Sequence, residues 1–163
     1  MTKMPNLLIS GVMLISIACS FAAADAQEYA TYCNARYGFC VSHPGHLKME
    51  PPPENDDGRC LLDGQGLSIT VSGINNVSDG TLQSEMNFRS EAFDKITYRI
   101  NRDDWFILSG YKGNDILYVK TYIGKGSINN LQIVYPANRK TAYDGIVDKI
   151  SRSFKPGSLN ISH

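Results

Sequence analysis

The chain has 163 residues, enough for one domain built around one core. Its 16 basic residues balance 16 acidic ones, so the formal net charge is zero. That balance argues against nucleic acid as a partner, because such binding is dominated by phosphate neutralisation. It argues equally against electrostatic docking on anionic lipid.

The first 26 residues read as a signal peptide. Lys3 is the basic start, Leu7 to Phe21 is an apolar run, and Ala24-Asp25-Ala26 supplies small residues at the −3 and −1 positions of a cleavage site. The run is shorter than the roughly 20 apolar residues a bilayer span needs, and no second such run follows. The expected mature chain starts near Gln27 and works in the periplasm, with no integral membrane segment. Lys3 and Asp25 leave together, so the charge balance survives cleavage. A lesser reading tethers the chain by a lipid on Cys19, although Ser16 stands where a branched aliphatic residue is usual before such a cysteine.

Tyr29–Cys33 and Phe39–His43 flank the turn-rich Asn34-Ala35-Arg36-Tyr37-Gly38 and read as a hairpin. Arg59–Leu62 and Leu67–Ile74 flank Asp63-Gly64-Gln65-Gly66; in the second, Leu67, Ile69 and Val71 alternate with Ser68, Thr70 and Ser72. Ser78 or Asp79 can cap a helix running to about Lys95, with Leu82, Met86, Arg89 and Phe93 along one stripe. Ile96–Ile100, Trp105–Tyr111, Ile116–Ile123 and Ile128–Tyr135 follow, joined by turns so short that the strands must form an antiparallel meander. Thr141 to Phe154 predicts an amphipathic helix with Tyr143, Ile146, Val147, Ile150 and Phe154 on one face. Trp105–Leu108 and Ile116–Val119 are apolar at consecutive positions, which predicts a sheet clad on both faces, one helix on each. The class is α+β: residues 27–157 form a single domain and 158–163 a disordered tail.

The stretch Tyr37-Gly38-Phe39-Cys40-Val41-Ser42-His43-Pro44 resembles the opening GFSxxYP strand of PsbP-like domains, a family that includes exported bacterial proteins of the DcrB type. Asp57-Gly58-Arg59, Leu67-Ser68-Ile69-Thr70-Val71 and Ile150-Ser151-Arg152-Ser153-Phe154 also resemble small exported bacterial proteins with that fold. Cys40 stands where the family usually has Ser, and His43 where it usually has an aromatic residue. The resemblance implies an α/β/α sandwich and a non-catalytic scaffold that binds other proteins. It brings no active site that could be transferred to this chain.

Three cysteines remain after the leader: Cys33, Cys40 and Cys60. Export favours one disulfide and one thiol left over, and any of three pairings is open. Cys40–Cys60 is preferred, because the proline-rich loop Pro51–Gly58 looks like a connection between neighbouring strands; closing it would add about 3 kcal/mol on the chain-entropy model. Cys40, His43 and His46 also form a C-x2-H-x2-H cluster, the alternative reading being a zinc- or copper-binding protein or metal-dependent enzyme. Against it, Cys40 and His43 point to opposite faces of a strand. Glu54-Asn55-Asp56-Asp57-Gly58 lacks the ligand spacing of a calcium loop and reads as solvated. No G-x-S-x-G elbow occurs, and Gly124-Lys125-Gly126-Ser127 joins two strands, not a strand to a helix as a phosphate cradle requires. No catalytic residue and no cofactor is expected.

Nine tyrosines and one tryptophan exceed what so small a core demands. Such residues favour protein interfaces, joining large area to a polar handle. Trp105, Tyr111, Tyr118 and Tyr122 are the candidate interface, Tyr118 and Tyr122 sharing one face; the bland reading buries them under the helices. The expected function is a non-enzymatic accessory protein that binds another periplasmic or envelope protein. Its narrower form is an immunity or inhibitor protein against a toxin or hydrolase acting there.

Overall fold

The computed structural model describes residues 28–163. The expected signal peptide, its cleavage site at Ala26 and the alternative lipid site at Cys19 fall outside that range. Turn residues punctuate apolar runs throughout, and the described chain resolves into β1 (Tyr29–Cys33), β2 (Cys40–Pro44), β3 (Lys48–Met49), β4 (Gly58–Leu62), β5 (Ser68–Asn75), α1 (Leu82–Ser90), β6 (Lys95–Asn101), β7 (Trp105–Lys112), β8 (Asp115–Ile123), β9 (Ser127–Pro136), a 3-10 turn at Ala137–Arg139 and α2 (Lys140–Ser153).

β1 and β2 form a two-stranded ribbon; the others make one antiparallel sheet in the order β3-β4-β5-β9-β8-β7-β6. The meander β6 to β9 is as expected. What the sequence did not announce is that β5 pairs with β9 along its whole length, from Ser68↔Val134 to Asn75↔Ser127. That pairing sets β9 in the middle of the sheet and makes it almost entirely buried. The two-residue β3, opposite Leu61 and Leu62, is another element that composition did not reveal.

The helices lie on opposite faces. Tyr143, Val147 and Ile150 of α2 recur at helical spacing and bury against Ile69, Val71, Leu131 and Ile133, with Phe154 just past the helix end. On the other face Met86 of α1 packs on Phe106, Leu108, Leu117 and Val119. Parity explains both: Ile116, Tyr118 and Tyr122 point to the α2 side, Leu117 and Val119 to the α1 side. The β1–β2 ribbon extends the α2 layer. Cys40 and Lys155 exchange main-chain bonds of 3.0 and 2.9 Å, and Tyr37 seats its ring where the Cβ of residue 73 would be, so only glycine fits there. The result is a helix-and-ribbon layer, a seven-stranded sheet and a single-helix layer.

Three expectations are corrected. The disulfide joins Cys33 to Cys40, directly paired across the ribbon with Cα atoms 4.1 Å apart, and Cys60 is the free thiol. Leu61 faces the ribbon, so its neighbour Cys60 points to the opposite face, and the loop Pro51–Gly58 leads to β4 from β3, not from β2. Helix α1 is shorter than expected at both ends. Asp79 has a left-handed φ of 48°, so the helix starts at Thr81, whose Oγ1 accepts from the Ser84 N–H while Ser84 Oγ accepts from the Thr81 N–H. At the other end Asp94 is drawn into the sheet, its N–H donating to the Tyr111 carbonyl at 2.9 Å.

Residues 158–163 are seated against the sheet, not disordered. The Leu159 carbonyl accepts from the N–H groups of Gly126 and Ser127 at 2.9 and 3.0 Å, and the His163 ring meets Tyr37 edge-on at 5.0 Å. A Cβ on Gly126 would lie 2.4 Å from the backbone of Ile161. The glycines of Gly124-Lys125-Gly126 therefore serve close packing of this tail.

Candidate functional site

The sheet face under α2 is covered over β5 and β9 but open over β6 and β7. Register decides what the open part presents. Trp105↔Tyr122, Ile107↔Lys120 and Ser109↔Tyr118 are cross-strand partners, so their six side chains stand on one face. β6 would put Ile96 and Tyr98 on the same side, but a β-bulge interrupts its register with β7 between these two residues. Ile96 joins the α1 core while Tyr98 turns to the opposite face, half-exposed. The bulge leans on Gly110: a Cβ there would lie 2.0 Å from the Lys95 carbonyl oxygen.

Between this surface and α2 runs a groove of about 540 Å³, floored by Trp105, Ile107, Ser109 and Lys120, with Thr97 and Tyr98 on one wall and α2 on the other. The α2 wall carries its acids already paired: Asp144 with Lys140 at 2.6 Å, and Asp148 with Arg152 at 3.0 Å. Tyr135 donates to Asp144 at 3.2 Å. Burial and that neighbouring carboxylate hold the Tyr135 phenol far above its usual range. Tyr118 shares a 2.5 Å hydrogen bond with the Ser151 hydroxyl, and burial pushes its phenol up to about 12.

Lys120 is the unusual member. A lysine on a central strand is 7% exposed, and its ammonium donates to the Ser151 carbonyl at 2.9 Å. That carbonyl belongs to the last turn of α2, where main-chain oxygens lack helical partners and the helix end is negative. The rings of Trp105 and Tyr122 stand 5.3 and 5.1 Å away. Among the described residues no carboxylate lies within ion-pair distance of it. Burial, and secondarily the charge of Lys155, bring its ammonium down to about 8.

Of the four aromatic candidates, Trp105 and Tyr118 line the groove, and Tyr122 packs behind them between Trp105 and Phe154, at 6.2 and 5.7 Å. Tyr111 lies on the same sheet face but beyond the groove, 39% exposed beside the Gly113–Asn114 turn. Tyr98, Ile107 and Lys120 were not singled out from sequence. Only Lys120 left a mark there, as the one charge inside the run Ile116–Ile123.

The alternative metal centre is corrected by the disulfide. Cys40 has no thiolate to offer, and His43 is buried with its Nδ1 3.0 Å from the Pro44 carbonyl. Among the described residues no three His, Cys, Asp or Glu side chains are gathered as a metal would need. The acidic loop spends its charge locally, Asp56 on Arg59 at 2.8 Å and Asp57 on the Asn55 amide at 2.8 Å. No helix among the described residues is long and apolar enough to cross a membrane.

No family model matches the chain, and no curated protein does. Among solved structures it is similar to cyanobacterial PsbP (CyanoP) from Synechocystis sp. PCC 6803, in solution, with a TM-score of 0.53 over 84% of this chain and 97% of that one. The fold is PsbP-like. At 14% identity that likeness concerns architecture alone.

Proposed function

We propose that this chain is a non-enzymatic accessory protein that binds another protein in the periplasm or envelope, on a PsbP-like scaffold of the exported, DcrB-type kind. The observation that supports it is the groove beside α2. Aromatic side chains from three adjacent strands converge on a surface that neither helix covers, and Tyr98, a large apolar ring, is 50% exposed there. An exposed aromatic with half-buried ones beside it in an open groove is a usual anchor of protein interfaces. The leader-like start and the disulfide support export.

The test is photo-crosslinking in the cells that make the protein. A benzophenone side chain at position 98 should yield a discrete adduct, and the same group at Ser68, on the other sheet face, should not. Absence of an adduct at 98, or equal adducts at both positions, overturns the reading. Fractionation and N-terminal sequencing should find the chain in the periplasm beginning near Gln27. The narrower reading, an immunity or inhibitor protein, has the same groove plug a toxin or hydrolase. It requires that the crosslinked partner be an enzyme whose activity the chain abolishes at equal stoichiometry.

A further inference from the structure

The groove also holds a buried positive charge that no acid among the described residues answers. We propose that Lys120 and the ring of Trp105 form a binding site for a carboxylate that has an apolar or aromatic group close beside it, as at the end of an aromatic amino acid. The inference deepens the groove reading above, on which it rests, by naming the chemistry that the groove recognises.

An ammonium has three donors, and here one goes to the Ser151 carbonyl. The rings of Trp105 and Tyr122 attract the charge but supply no lone pair for the other two. A buried charge in this condition gains most from a partner that brings both opposite charge and acceptors. A carboxylate brings one charge and two acceptor oxygens. Lys155, the second cation whose field reaches Lys120, is likewise without a carboxylate within ion-pair distance among the described residues. The acids on the facing wall do not cancel this spot, since Asp144 and Asp148 are each neutralised by a cation one helical turn away. The rest of the lining sets the other half of the ligand. Trp105, Ile107 and Tyr98 offer an apolar slot beside the ammonium, and the volume of about 540 Å³ accepts a group the size of an aromatic amino acid. Two sources present this chemistry: a free aromatic acid, or the last residue of a peptide chain.

Trp105 is the single tryptophan of the chain, so its fluorescence reports on the groove directly. N-acetyl-L-phenylalanine added to the purified chain should change that emission saturably, and its C-terminal amide should bind about tenfold more weakly or worse. Lys120→Met should abolish the preference for acid over amide, and Lys120→Arg should keep it. A pentapeptide ending in Phe that binds about tenfold tighter than the free acid identifies a chain terminus as the ligand; equal affinity identifies the small acid. Equal binding of acid and amide by the unaltered chain, or no response to the acid up to about 10 mM, overturns the proposal without recourse to any variant. An adduct at position 98 that persists in Lys120→Met, together with equal binding of acid and amide by the unaltered chain, would leave partner docking standing and remove the carboxylate site.

Discussion

Each face of the central sheet has one covered half and one bare half, and the two bare halves differ in kind. On the α1 side the helix covers β6 to β8 and leaves β4 and β5 open, where Cys60, Ser68, Thr70 and Ser72 stand half-buried. On the α2 side the helix and the ribbon cover β4, β5 and β9, and the open part carries Tyr98, Trp105, Tyr118 and the buried Lys120. A bare sheet of small hydroxyl side chains satisfies itself with water. A sheet of rings around a cation with no carboxylate beside it does not, and the proposed binding surface rests on that difference.

The comparison can be broken at its covered halves first. Phe154→Ala removes a fully buried ring that meets Phe39 and Tyr122, and should cost about 4 kcal/mol in a denaturant titration. Met86→Ala, in the small cluster under α1, should cost about 2 kcal/mol, because a short helix at the surface can settle over the gap. A larger loss from Met86→Ala than from Phe154→Ala would reverse the assignment of the main core.

The charge at Lys120 sharpens the contrast through pH. The folded ammonium is lowered from 10.5 to about 8, so between these values the unfolded chain holds a proton that the folded chain has released. Stability should therefore climb as pH rises from 8 towards 10, by on the order of 1 kcal/mol more in the unaltered chain than in Lys120→Met. Above 10 the sign reverses. The unfolded Tyr118 phenol ionises at its usual 10 and the folded one at about 12, so stability is lost across that window in both chains. An identical pH profile in the two chains would mean that the lysine is solvated. The smallest effect is the most telling for function: Tyr98→Ala should change stability by no more than about 0.5 kcal/mol, yet abolish carboxylate-dependent quenching of Trp105.

Much of the fold was legible because its determinants are local. The turns between β6 and β9 fix their pairing, and the spacing of Tyr143, Val147 and Ile150 fixes the buried side of α2. The β5–β9 pairing was hidden, since an alternating pattern declares a buried face and names no partner. The same limit misdirected the disulfide: parity alone sends Cys60 away from the ribbon, but only once Leu61 is known to face it. At the candidate site Trp105, Tyr118 and Tyr122 were legible as aromatics of the meander strands, and the register of the strands then brings Trp105 to the face that Tyr118 and Tyr122 share. Tyr98 did not, because a bulge inverts the parity of its strand, and Lys120 acquires its setting only when the end of α2 arrives from far along the chain.

The Cys33–Cys40 bond spans a separation of seven residues within one ribbon, and so ties that ribbon only to itself. A reductant should loosen the ribbon's turn while leaving the seven-stranded platform assembled. Production in a reducing cytosol should thus give a protein with its platform folded, and exposure to oxidant would add the last local clasp.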